Sequence, residues 1–141
     1  MQKPSVNRAM FAGLALAAVL FVACGDNDPV TPPPPGIQPE IINAVDNFQF
    51  QVTAVKSYTG TLNYAWSNTG PAADVNQSCA VSAGTVTLTL IDGAGQEVYT
   101  KDLSQDGSFP STTGTSGNWR IRVAMWGATG DLNFRVDKRT P

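Results

Sequence analysis

The chain has 141 residues, no histidine and a formal charge of −2. The missing imidazole excludes catalytic triads built on it and removes the commonest metal ligand. The acidic balance, which deepens if Lys3 and Arg8 are cut away, argues against nucleic acid as a partner.

Lys3 and Arg8 precede an apolar run from Ala9 to Ala23, AMFAGLALAAVLFVA. At about 15 residues it matches the hydrophobic part of an export signal and falls short of the roughly 20 that a membrane-spanning helix needs. Gly25, Asp26 and Asp28 end it abruptly. Residues 1–23 are therefore expected to be a removable signal peptide that takes the chain across the inner membrane. The run closes on Leu20-Phe21-Val22-Ala23-Cys24, which resembles the lipobox of bacterial lipoproteins, where a small residue precedes a cysteine that is acylated and becomes the new N-terminus. Ala23 and Cys24 match that pattern, and Phe21 stands where the family usually has leucine. The resemblance covers only this amino-terminal stretch. It implies a lipid on Cys24 and membrane attachment through acyl chains, each buried methylene contributing about 0.8 kcal/mol. Gly25 follows the cysteine, not the aspartate that marks inner-membrane retention in enteric relatives, so the outer membrane is the expected destination. Cys79 then has no intramolecular partner, and it reads as a small core residue with no basic neighbour to activate it.

Residues 24–45 read as linker. Gly25 to Pro39 is mostly Gly, Asp, Asn, Thr and Pro, with a proline run at Pro32 to Pro35 and almost no apolar residue, a composition that favours extended polyproline geometry at about 3.1 Å per residue. Its expected role is a semi-rigid stalk. What remains, residues 46–138, is about 95 residues, enough for one compact domain and too few for two.

In that domain the hydrophobic period is two. Phe48, Phe50, Val52 and Ala54 alternate with Gln49, Gln51 and Thr53, and Leu62, Tyr64 and Trp66 repeat the pattern after Tyr58, Thr59 and Gly60. A hairpin setting Ala54 near Leu62 and Val52 near Tyr64 is expected. Ser67 to Ser78 reads as a polar loop. Val86, Leu88 and Leu90 alternate with Thr85, Thr87 and Thr89, and a loop of Gly93 to Gly95, with Gly95 left-handed, would set Leu90 opposite Val98. A second hairpin is expected where Trp119, Ile121, Val123 and Met125 precede Gly127 to Gly130 and Leu132, Phe134 and Val136 follow. It would set Met125 opposite Leu132, Arg120 opposite Asp137 and Arg122 opposite Arg135.

About six or seven short strands without a helical period predict an all-β domain, a single antiparallel β-sandwich of jelly-roll or immunoglobulin-like kind. The segments Gly117-Asn118-Trp119-Arg120-Ile121-Arg122-Val123 and Gly130-Asp131-Leu132-Asn133-Phe134-Arg135-Val136 resemble the closing hairpin of bacterial pre-peptidase C-terminal domains, secreted β-sandwiches appended to hydrolases. That resemblance, over the last quarter of the chain, implies an accessory or adhesive module without catalysis of its own.

Candidate ligand-binding residues follow from this layout. Arg120, Arg122 and Arg135, with Asn133, would share the outward face of the last hairpin and grip a carboxylate or sulfate on a polymer. Tyr99 and Trp126 fall out of phase with their strands and are expected at the surface as sugar-stacking or protein-anchoring aromatics. Asp92, Glu97, Asp74 and Asn76 are the hard ligands nearest to loops, but Asp92 before Gly93 is what a tight turn uses anyway, so no metal and no cofactor are expected. The expected partners are a membrane, through the lipid, and a glycan or an envelope protein. The rival readings are a structural or assembly subunit of an envelope complex and, second, a small hydrolase using paired carboxylates.

Overall fold

The structure is a computed structural model and describes residues 36–140. Within them the chain is all-β: β1 Glu40–Ala44, β2 Asn47–Asn68, β3 Ala72–Gln77, β4 Ala80–Ile91, β5 Glu97–Asp102, β6 Gly107–Pro110 and β7 Gly117–Arg139. All pair antiparallel in one sheet, in the order β1-β2-β7-β3-β6, with β4 also on β7 and β5 on β4. The signal peptide and Cys24 lie outside the described residues. The sheet begins earlier than the expected linker boundary at residue 45, because Glu40–Ala44 pairs with Asn47–Gln51 and Ile37 is already buried in the core.

Neither expected hairpin forms. β2 runs unbroken through the segment read as its turn, β7 does the same, and the two pair with each other along their whole length. Val52 lies opposite Leu132, not Tyr64, and Leu62 opposite Val123, not Ala54. Both strands bend. A straight strand would separate Phe48 from Tyr64 by about 50 Å, yet their rings are 5.4 Å apart, and Asp46 N–H donates to the Ser67 carbonyl at 2.9 Å. The sheet is thus folded on itself. One layer holds β1, the first half of β2, the second half of β7, β3 and β6; the other holds the second half of β2, the first half of β7, the second half of β4 and β5.

The fold line is visible in the register. β2 slips against β7 between Val52 and Gly60, and β4 slips against β7 between Val81 and Thr85. Ala54, Ser57, Gly84, Gly127 and Gly130 on this line all have positive φ. Where the slips remove ladder partners, side chains replace them: Asp131 Oδ1 accepts from Ala54 N–H at 2.7 Å, Thr129 Oγ1 from Ser57 N–H at 2.9 Å, and Thr59 Oγ1 from Gly127 N–H at 2.8 Å. Bulges with left-handed residues are the usual device for turning a strand through a corner.

The apolar faces meet between the layers. Phe48, Phe50, Val86, Leu88, Leu90, Ile121, Val123 and Val136 are fully buried, each contributing about 1.5–3 kcal/mol. The Phe50 and Phe134 rings stack at 5.0 Å and Trp66 meets Trp119 edge-on at 5.8 Å. Val55 takes the buried place expected for Ala54, which is exposed because the bulge reverses the alternation there. The Ser67–Ser78 segment is not a loop: Ala72–Gln77 is a strand, with Ala73 and Val75 in the core and Gln77 buried beside them. Its side chains are small or amide-bearing, so the apolar alternation that reports a strand is faint.

Gly130 has φ +136, and a Cβ there would sit on the Ala80 carbonyl oxygen, whereas Gly95 has φ +85 with open space around it. Gly130→Ala is therefore expected to cost at least about 2 kcal/mol and Gly95→Ala about 1 kcal/mol. Denaturant unfolding of both variants checks this; equal losses would mean that the corner is not close-packed.

Candidate functional site

The fold redistributes the candidate residues. Arg120 and Arg122 project outward from the first half of β7, where Arg120 lies between Ala65 and Ile91 and Arg122 between Asn63 and Thr89. Arg135 and Asn133 belong to the other layer, where Arg135 lies between Gln49 and Asn76. The expected four-residue cluster is therefore two separate pairs. Arg135 Nε meets Asp137 Oδ2 at 2.9 Å, so Asp137 pairs with Arg135 and not with Arg120, and the expected Arg122–Arg135 juxtaposition does not occur. Asn133 is held through its backbone, its N–H donating to Cys79 Sγ and its carbonyl accepting from Ser78 N–H. Cys79 is half-buried against the core, and burial pushes its thiol up from the ordinary value.

Tyr99 is a core residue, 8 % exposed. The β4–β5 ladder slips between Leu90 and Ile91, so Leu90 faces Tyr99 and not Val98, which reverses the phase that placed Tyr99 outside. Gly95 is left-handed as expected. The Tyr99 hydroxyl donates to Gln77 Oε1 at 2.6 Å, and Gln77 Nε2 donates to the carbonyls of Gln105 and Asp102, so a buried amide ties β3 to β5 across the layers. Burial raises the Tyr99 hydroxyl to about 12. Trp126 is 74 % exposed, at the corner where β7 bends.

Arg120 and Arg122 form one wall of a groove of about 440 Å³. Ile91 forms its floor, and Glu97 with Asp92 and the Gly93–Gly95 loop forms the opposite wall. Asn118 lines it at the end where β7 begins. Among the described residues neither arginine makes an ion pair. By contrast, Arg135, Lys138 and Arg139 each meet a carboxylate, and Lys101 sits 4.0 Å over the Phe109 ring.

Asp92 supports the loop wall. Its Oδ2 accepts from Thr115 N–H at 2.7 Å, and its Oδ1 from Gln96 N–H at 2.8 Å and Ala94 N–H at 3.0 Å. Gly93 N–H adds a bond to the Thr115 carbonyl, so the 92–96 loop and the segment before β7 are bound together. This carboxylate is committed to backbone donors. Of the other expected hard ligands only Glu97 lies in the same groove; Asp74 and Asn76 lie in the opposite layer on β3, where Asn76 donates to Ser108 Oγ. Among the described residues no three His, Cys, Asp or Glu side chains converge on one point.

The groove arginines were among the sequence-derived candidates, but Glu97 and Asn118 were not identified as their companions. The only signal was that Asn118 precedes Arg120 by two, hence shares its face. Glu97 reaches the groove through the β4–β5 pairing. No protein-family model matches the chain, and no curated protein matches it in sequence.

The backbone N–H of Thr115, then that of Gln96, hold the Asp92 carboxyl below the ordinary carboxylate range against the opposing effect of burial. A lowered folded value means that Asp92 stabilises the fold above about pH 4, the unfolded value, and that the contribution is lost as pH falls through the folded value. Asp92→Asn is expected to lower the unfolding midpoint at pH 7 and to flatten the acid limb of the stability profile. An unchanged acid limb would show that the loop clamp contributes nothing.

Proposed function

We propose that the protein is a lipid-anchored lipoprotein of the bacterial cell envelope, whose β-sandwich is a non-catalytic binding module displayed on a stalk. The observation that carries this reading is Cys24, placed directly after Ala23 at the end of an apolar run of signal length and followed at once by Gly25, Asp26 and a proline-rich segment. Gly25 in second place favours the outer membrane, and the resemblance of the last quarter of the chain to pre-peptidase C-terminal domains favours an accessory, adhesive role.

The layout of the domain supports display. Gly36 lies beside Tyr58, and Glu40 pairs with Gln51 just before the bend of β2, so the chain joins the sandwich at its corner. The groove lies toward the other end, beside the 92–96 loop and the start of β7. The groove thus stands at the end of the domain remote from Gly36, to which the proline-rich segment is joined in sequence. An assembly role draws on a different feature: Ile42 and Val45, 56 % and 63 % exposed, stand on and just after edge strand β1, where a protein partner finds both apolar surface and free backbone groups.

Mass spectrometry of the protein purified from a bacterial host tests the anchoring. The expected product lacks residues 1–23 and carries a diacylglyceryl group on the Cys24 sulfur, and Cys24→Ala stays unprocessed and unlipidated. A chain that begins at Met1, or an unmodified Cys24, would overturn the assignment.

A further inference from the structure

The groove itself says more about the ligand, on the premise just given that the sandwich is a binding module. Arg120 and Arg122 are two residues apart on one strand face, so their stems are about 7 Å apart and point the same way. Both leave the strand between uncharged neighbours, and no carboxylate is drawn to either among the described residues. Two parallel guanidinium groups at that separation suit a chain with repeating carboxylates better than a single small anion, because each fork takes one carboxylate in two parallel bonds.

The opposite wall limits what kind of chain enters. Glu97 pairs with Ile91 on the strand next to β4, two strand spacings or about 10 Å from the backbone of Arg120. Its carboxylate repels a dense polyanion and accepts hydrogen bonds from hydroxyl groups. Asn118 in the groove, and Asn63 across from Arg122, carry amides with no side-chain hydrogen bond among the described residues. The floor is apolar but small, Ile91 at 9 % exposure, and the large exposed apolar side chains, Ile42, Val45 and Trp126, all lie elsewhere. A protein partner buries an apolar centre, which this groove lacks. Asp92 fixes the loop wall in advance, so little ordering opposes binding.

We propose that the groove between Arg120 and Arg122 on one side and Glu97 with the Gly93–Gly95 loop on the other binds a carboxylated polysaccharide. The arginines take carboxylates of the sugar chain, while Glu97 and Asn118 take its hydroxyl groups.

Calorimetric titration of the chain as purified from its host in detergent micelles, whether or not it carries lipid, at low and moderate salt, tests this with four probes. They are tetragalacturonate, its methyl ester, a sulfated tetrasaccharide and tetraglutamate. Tetragalacturonate is expected to bind, with affinity falling as salt rises, and the ester at least about tenfold more weakly. Arg120→Gln with Arg122→Gln should reproduce that loss at an unchanged unfolding midpoint, while Arg135→Gln in the other layer leaves affinity within about twofold. The proposal is overturned if no probe binds, if acid and ester bind equally, if the double variant binds normally, or if the sulfated sugar or tetraglutamate is preferred. An unlipidated Cys24 would remove the anchoring reading without altering these titrations, so the two failures are distinguishable.

Discussion

Two antiparallel strands of more than twenty residues each cannot close a core between them unless both bend at the same height. That shared bend, where β2, β7 and β4 all slip register, is the constraint from which the rest of the structure follows. It requires left-handed backbone and very close approach, which is why a Cβ on Gly84 would strike the carbonyl of Gly127 and one on Gly130 that of Ala80. It also strands backbone donors, which Asp131, Thr129 and Thr59 satisfy with side-chain oxygens. Polar residues at a corner of an apolar sandwich are thus part of its hydrogen-bond balance.

The bend also decides what the surface offers. Had β7 been a hairpin, Arg120, Arg122 and Arg135 would have shared one face with Asp137 among them. Folded over, it carries Arg135 into the layer where Asp137 neutralises it, and leaves Arg120 and Arg122, whose partners on the adjoining strands are uncharged, facing the groove walled by Glu97. The other wall depends on β5 and its loop, set by the left-handed Gly95 and the backbone bonds to Asp92. The candidate site is therefore assembled from β4, β5 and β7, which are not all consecutive in the chain, on the half of the sandwich remote from where the described chain begins.

The faces of the strands were legible in the sequence; their partners were not. Phe48, Phe50 and Val52, then Val86, Leu88 and Leu90, then Ile121, Val123, Leu132, Phe134 and Val136 all point inward as their alternation indicates. Alternation reports which side of a strand is buried and is silent on which strand lies beside it. Gly127 and Gly130, or Thr59 and Gly60, serve a hairpin turn and a strand corner equally well, and the choice between them rests on contacts with distant segments. The slip at Leu90 inverted the reading of Tyr99, and β3 was hidden because Ala72, Ala73 and the buried Gln77 carry little apolar signal. Of the site, the arginine pair was readable as residue types on one face, whereas Glu97 became its counterpart only through tertiary pairing. Cys24, the strongest local pattern in the chain, lies outside the described residues.

The folded-over β7 is what sets Arg120 and Arg122 against the groove, and that placement requires β2 and β7 to pair with each other. Backbone proton contacts measured by NMR on the isotope-labelled protein test this directly. Val123 is expected to show cross-strand contacts to Leu62 on one side and Leu88 on the other. Contacts from Val123 to Phe134 in their place, with Val52 paired to Tyr64, would restore the two hairpins and contradict the fold and the site together.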